Sequence, residues 1–264
     1  MAAHTETASR RDRPWRSVAG GFIDAFSFLT ILPLPHGAAQ RDDFNLRAAV
    51  PWFPVVGALI GGLAGGLRVA FDPLVGRGPS TAIAILGLVA VTGGLHQDAL
   101  ADLADGLGVR GDAERRLEAI RDPRIGAFGA LALILWALLL YTSLDQLDAG
   151  RALLTLVAAA TAGRVAAPLQ RLVAPSSGSG GLGSKLSANG STTGAALLLA
   201  AVIALATLGP ARGAVSLAAC VTIALLMGLL ARRALDGSTG DTLGAAIAVT
   251  EVGGCLLMGG MWRL

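Results

Sequence analysis

Charge is what this chain has least of. Asp, Glu, Lys and Arg make up 15% of its 264 residues, against about 25% in an average soluble domain. Hydrophobic residues make up 53% and the mean hydropathy is +0.64. A chain with so little polar surface cannot face water on every side, which excludes a soluble monomer. Cysteine is nearly absent too: the two present, Cys220 and Cys255, sit inside apolar runs and read as small buried hydrophobes, so a disulfide framework is excluded. Alternating ten-residue segments are missing, which argues against an outer-membrane barrel; the apolar residues come instead in blocks of about 17–22, the length of a membrane-crossing helix. No short apolar core with a small-residue cleavage site stands near Met1, so no cleavable signal peptide is expected. A net charge of +3 gives no reason to expect nucleic acid as a partner.

The blocks predict an all-α, polytopic membrane bundle of about seven transmembrane helices plus an N-terminal interfacial amphipathic helix. Residues 1–13 read as a disordered tail, and 14–264 as one integral-membrane catalytic domain. The interfacial helix runs from Pro14 to Leu32, carries Asp24, and is stopped by Pro33-Leu34-Pro35. Spans are expected near 50–70, 80–100, 127–144, 152–173, 192–208, 214–230 and 245–262. Glycine is abundant, and Gly57, Gly61 and Gly65 form one small-residue ridge suited to close helix contact in lipid. Arg164 lies inside a span, where an arginine costs about 3 kcal/mol and so has a partner, a role or a route to the interface. Residues 174–191 are Gly/Ser-rich but lack the nucleotide-binding Gly-x-x-x-x-Gly-Lys-Ser/Thr register, and read as a flexible connector.

Alternate loops fall on two sides. Residues 1–49, 96–126, 174–191 and 231–244, with Arg171 counted beside the third, carry 15 of the 21 Lys and Arg; the opposite side carries 5. That bias puts the first side in the cytoplasm, and with it every motif that could carry chemistry.

The richest of these is Gly93-Gly94-Leu95-His96-Gln97-Asp98-Ala99-Leu100-Ala101-Asp102-Leu103-Ala104-Asp105-Gly106. Asp98, Asp102 and Asp105 stand at i, i+4 and i+7, on one face of a helix. Two carboxylates about 6 Å apart repel by roughly 3 kcal/mol at an effective dielectric near 20. A divalent cation resolves that repulsion; a merely solvated acidic face is the plainer alternative. Several Asp, few His and no nearby Cys favour oxygen-ligated Mg²⁺ or Mn²⁺ over Zn²⁺. Mg²⁺ works with substrate phosphates, so phosphoryl or nucleotidyl transfer is the implied chemistry. Asp98, Asp102, Asp105 and Asp122 are the candidate metal ligands, and Asp241 a further catalytic carboxylate. Arg121, Arg124 and Arg164 are candidate phosphate clamps. His96 is a candidate base or orienting group, although on an ideal helix it points away from the Asp face. A transporter or ion pathway lined by the Asp cluster and Arg164 is the alternative from another class.

Five segments together resemble one family: Phe26-Ser27-Phe28-Leu29-Thr30-Ile31-Leu32-Pro33-Leu34-Pro35, Trp52-Phe53-Pro54-Val55-Val56-Gly57, the Gly93–Gly106 block, Arg121-Asp122-Pro123-Arg124-Ile125-Gly126, and Thr239-Gly240-Asp241-Thr242-Leu243-Gly244-Ala245. They look like the cobalamin synthases, the adenosylcobinamide-GDP ribazoletransferases. The family usually reads Leu-Asp-Gly-Leu-Ala-Asp after the His, where this chain has Gln97-Asp98-Ala99-Leu100-Ala101-Asp102, and often has Ser at the position of Pro123. The resemblance implies a Mg²⁺-dependent enzyme of the cell inner membrane with a cytoplasmic active face. It would join α-ribazole, or its 5′-phosphate, to adenosylcobinamide-GDP and release GMP. The lipid bilayer, other corrinoid-pathway enzymes and further copies of the chain are the remaining partners it implies.

Overall fold

The computed structural model describes residues 14–34, 45–177, 186 and 188–263. The expected disordered tail, 1–13, and most of the Gly/Ser connector lie outside the described residues. The described residues are helical, without a strand: α1 Pro14–Leu29, α2 Leu46–Ala49 with a 3-10 turn at Val50–Trp52, α3 Phe53–Val75, α4 Arg77–Thr92, α5 Leu95–Gly108, α6 Ala113–Ile120, α7 Ala127–Asp145, α8 Ala149–Val173, α9 Gly190–Leu208, α10 Pro210–Leu235 and α11 Gly240–Met261. Six helical segments are long and apolar enough to cross a membrane, and the bent pair α4–α5, taken together, brings the number to seven. The protein is a multi-pass membrane bundle.

Side-chain size sets the order of the layers. Helix α8 is built from Ala, Gly and Thr through its middle, and its apolar window is 83% buried; α11 follows at 72%, whereas α7, α9 and α10 are buried over only 28%. The first two therefore form the centre and the other three turn leucine-rich faces outward. The Gly57/Gly61/Gly65 ridge of α3 lies against the backbone of α8 at Ala160, Leu156 and Leu153, so close that a Cβ on any of the three would meet atoms under 3.0 Å away. The ridge is packing, as its spacing implies.

Two expected boundaries shift. Helix α1 ends at Leu29 rather than Leu32, with the Thr30 hydroxyl turned back onto the Phe26 carbonyl at 2.9 Å. Its internal Asp24 is buried and accepts a hydrogen bond from the Asn45 amide at 3.0 Å, which fixes the start of α2. The expected continuous span over 80–100 is broken. Gly93 and Gly94 take φ +64° and +72°, a left-handed pair that ends α4 and turns α5 by 88°. Only glycine enters that region freely. A side chain at Gly93 would also strike Ile31, whose amide bonds the Val91 carbonyl at 3.0 Å. The crossing thus ends at the glycine pair, and α5 carries its carboxylates across the end of the bundle.

Candidate active site

Four helix ends meet around α5. Helix α11 starts beside it in a capping box: Thr239 Oγ1 accepts from the Thr242 amide at 3.2 Å, and the Thr239 amide donates to Thr242 Oγ1 at 3.0 Å. The turn before it is pinned by buried Ser238, which donates to the Ala174 carbonyl at 2.7 Å and accepts from Arg171 at 2.6 Å. This fixes Gly240 and Asp241 in the first turn of α11. Helices α5 and α11 approach closely because Gly244 leaves a notch for the Ala99 methyl, where a second Cβ would fall only 2.6 Å from it. Ala99, where the family usually has Gly, is thus accommodated by Gly244.

Two cavities open here. The smaller, about 490 Å³, is walled by His96, Asp98, Arg121, Thr239 and Asp241 on its polar side and by Phe28, Leu117, Ile120 and Ile247 among its apolar residues. The larger, about 750 Å³, takes Asp98 and Asp102, the Ser27, Thr30 and Thr92 hydroxyls, and Ile31, Pro123, Ile125 and Leu133. Phe28, Leu95 and Asp98 belong to both walls.

The structure divides the expected site residues. His96 and Asp98 do line one cavity despite their opposite helical faces, because α11 closes over the first turn of α5. His96 is 2% exposed and neither ring nitrogen has a hydrogen-bond partner. Partial burial, and then the charges of Asp98, Asp241 and Asp105, push the Asp102 carboxyl up to about 6. Asp241 therefore joins the carboxylate cluster from a segment more than a hundred residues away.

Asp105 and Asp122, expected as metal ligands, are engaged elsewhere. The Asp105 carboxylate caps α7, accepting from the Gly126 amide at 2.7 Å and the Gly129 amide at 2.8 Å. Neither glycine could carry a Cβ, which would overlap that carboxylate. Asp122 accepts from the backbone amide of Arg124 at 3.0 Å and from its guanidinium at 3.0 and 2.7 Å; these bonds hold its carboxyl down at about 2. The turn closes through Arg124. Arg124 is thereby paired, while Arg121 stands in the wall of the smaller cavity and acts on Asp241 electrostatically.

Arg164, expected as a phosphate clamp, lines neither cavity. It is fully buried between α8 and α11 and ion-paired with Glu251. Glu251 is the residue that sequence reasoning left without a function. The signal was present: two lone opposite charges in two spans each need a partner, and each is the other's best one.

Among the described residues no three His, Cys, Asp or Glu side chains converge closely enough to cage a metal ion alone. The donor set still suits a hard cation, for Mg²⁺ usually takes one or two carboxylates and completes its shell with water and substrate phosphates.

Fold and site together define a class: a multi-pass helical membrane protein with an acidic centre where two cavities meet at one end of the bundle. The sequence profile of the cobalamin-5-phosphate synthases matches residues 21–259. The adenosylcobinamide-GDP ribazoletransferase of Escherichia coli (strain K12) is 35% identical over 236 residues, covering 88% of this chain and 96% of its own. That of Chlorobium phaeovibrioides (strain DSM 265 / 1930) is 34% identical over 243 residues, covering 88% and 94%. No solved structure matches. The chain belongs to the cobalamin-5-phosphate synthase family.

Proposed function

We propose that this chain joins adenosylcobinamide-GDP to α-ribazole, or to its 5′-phosphate, with release of GMP, as the enzyme that closes the nucleotide loop of cobalamin. The activity named for its relatives supports this reading. The observation that carries it to particular residues is the position of Asp98, in the wall that the two cavities share. A reaction between two large substrates needs two chambers and one charged meeting point.

Asp98 and Asp102 would hold Mg²⁺, with Asp241 adding negative charge from α11. Bound there, the ion would neutralise charge on the pyrophosphate of the GDP moiety and on the leaving GMP. Arg121 donates to phosphate oxygens from the wall of the smaller cavity. A ribazole hydroxyl oxygen bonds to the phosphorus next to cobinamide, the bond from that phosphorus to the GMP oxygen breaks, and the hydroxyl proton passes to the carboxylate cluster. Arg124 and Asp122 hold the turn beside the larger cavity, and Asp105 seats α7 against α5. The positive bias of the loops that share this end supports an active face on the cytoplasmic side of the cell inner membrane.

The test is purified protein with Mg²⁺ and both substrates. GMP and a cobalamin product are expected in equal amounts, and neither when one substrate is withheld. Ion or corrinoid flux across proteoliposomes without GMP release would replace this reading with the transport alternative.

A further inference from the structure

Of the two cavities only the smaller has a buried, unpartnered polar side chain in its wall: His96, with both ring nitrogens free of hydrogen bonds. A buried polar group without a partner is costly. The site therefore asks for a ligand that supplies one. The cavity volume, about 490 Å³, lies within the range of about 300–1,000 Å³ that encloses a small ligand. A nucleoside of about 20 non-hydrogen atoms fits such a space, whereas a corrinoid, several times larger, does not. The larger of the two substrates must then lie along the 750 Å³ cavity and its mouth.

Three planar bases compete for the smaller chamber: the guanine of the GDP moiety, the adenine of the adenosyl group and the benzimidazole of ribazole. Guanine and adenine each bring several edge donors and acceptors, each needing a partner when buried. Benzimidazole joined to ribose brings one free ring nitrogen, an acceptor only, and otherwise an apolar bicycle. The wall offers Phe28, Leu117, Ile120, Ala167, Leu243 and Ile247 to the bicycle and one unpartnered imidazole to the nitrogen. The remaining polar groups, Asp98, Asp241 and Arg121, are those that the phosphates and their cation need. We infer that the smaller cavity is the subsite for the benzimidazole base of ribazole, with His96, whose ring nitrogens are sealed off from the cavity in this structure, turning its ring to donate an N–H to the free nitrogen, and with Leu117 and Ile120 limiting the size of base admitted. This rests on the transferase reading above. It makes His96 a recognition residue rather than a base at the reacting hydroxyl.

The experiment measures KM separately for each substrate. Leu117, half-buried on α6, can be changed without opening the bundle core. Leu117→Trp should raise KM for ribazole about 10-fold or more by filling the chamber, and leave KM for adenosylcobinamide-GDP and kcat unchanged. Leu117→Ala should admit a ribazole bearing a bulkier ring that the wild type rejects. A ribazole analogue with CH in place of the free ring nitrogen should bind the wild type about 10-fold more weakly. It should bind His96→Ala no worse than ribazole does, with the change in KM rather than kcat. If Leu117→Trp raises KM for adenosylcobinamide-GDP alone, the chamber holds guanine or adenine and the inference fails. It fails equally if Leu117→Trp moves neither KM, or if the wild type treats ribazole and the CH analogue alike. Absence of GMP release by the wild type with both natural substrates would instead remove the transferase reading.

Discussion

An arginine inside a membrane span reads as a reagent until its partner is seen. Arg164 is answered by Glu251 across α8 and α11, both within the most buried part of the bundle. Removing one member of such a pair strands the other, at about 3–5 kcal/mol, whereas replacing both with apolar residues of similar size is often close to neutral. Arg164→Met should therefore lower the melting temperature of the detergent-solubilised protein sharply. Adding Glu251→Leu should restore most of the loss, with GMP release kept within about 10-fold of wild type. A double variant that is stable but inactive would return Arg164 to the phosphates. At the same scale Gln97 is a departure from the family's usual Leu that the structure does not answer: it is buried, and both amide atoms lack partners. Nothing in the structure explains its presence.

At the scale of elements, the apolar blocks were legible because hydropathy reports length and burial directly, and six of the seven expected crossings have an unbroken helix of spanning length. The bend was not, since the run from Arg77 to Gly108 is continuous in hydropathy. The Gly93-Gly94 pair was the only mark of it, and the left-handed φ of both residues is the physical cause. The cap on α7 was hidden for another reason. Asp105 reaches amides more than twenty residues away, and the i, i+4, i+7 pattern says which face of α5 it occupies but not what stands opposite. The spacing thus grouped the three carboxylates but could not show that Asp105 caps α7, while Asp241 entered the cluster through the tertiary approach of α11. The glycine ridge of α3 was legible from spacing alone. A methyl at Gly61 would overlap the Leu156 carbonyl of α8, and packing forced apart in this way costs typically about 1–3 kcal/mol. Gly61→Ala should lower thermal stability by that order, and Gly62→Ala, with nothing near its Cβ, should leave it within about 0.5 kcal/mol. Equal melting temperatures for the two variants would contradict the α3–α8 contact.

At the scale of the whole molecule the bundle concentrates like charge at one end. Asp102 shows the effect, with its folded pKa about 6 against 3.8 in the reference state. A carboxyl raised in this way binds its proton more tightly in the folded protein. Its contribution to stability is therefore full below pH 3.8 and is lost as pH rises through about 6. In the absence of divalent cations, the wild type should gain melting temperature relative to Asp102→Asn as pH is lowered from 7.5 to 5.5. Parallel curves would mean that Asp102 does not feel its neighbours.

The central claim is that Asp98, standing between two cavities, is where a hydroxyl and a pyrophosphate meet around a divalent cation. GMP release from adenosylcobinamide-GDP and ribazole, measured against Mg²⁺ concentration for the wild type and Asp98→Asn, tests it most directly. The wild type should saturate with Mg²⁺ and stop on chelation, and a folded Asp98→Asn should lose at least about 100-fold in kcat/KM at every concentration. Full turnover by that variant, or by the chelated wild type, would contradict the account.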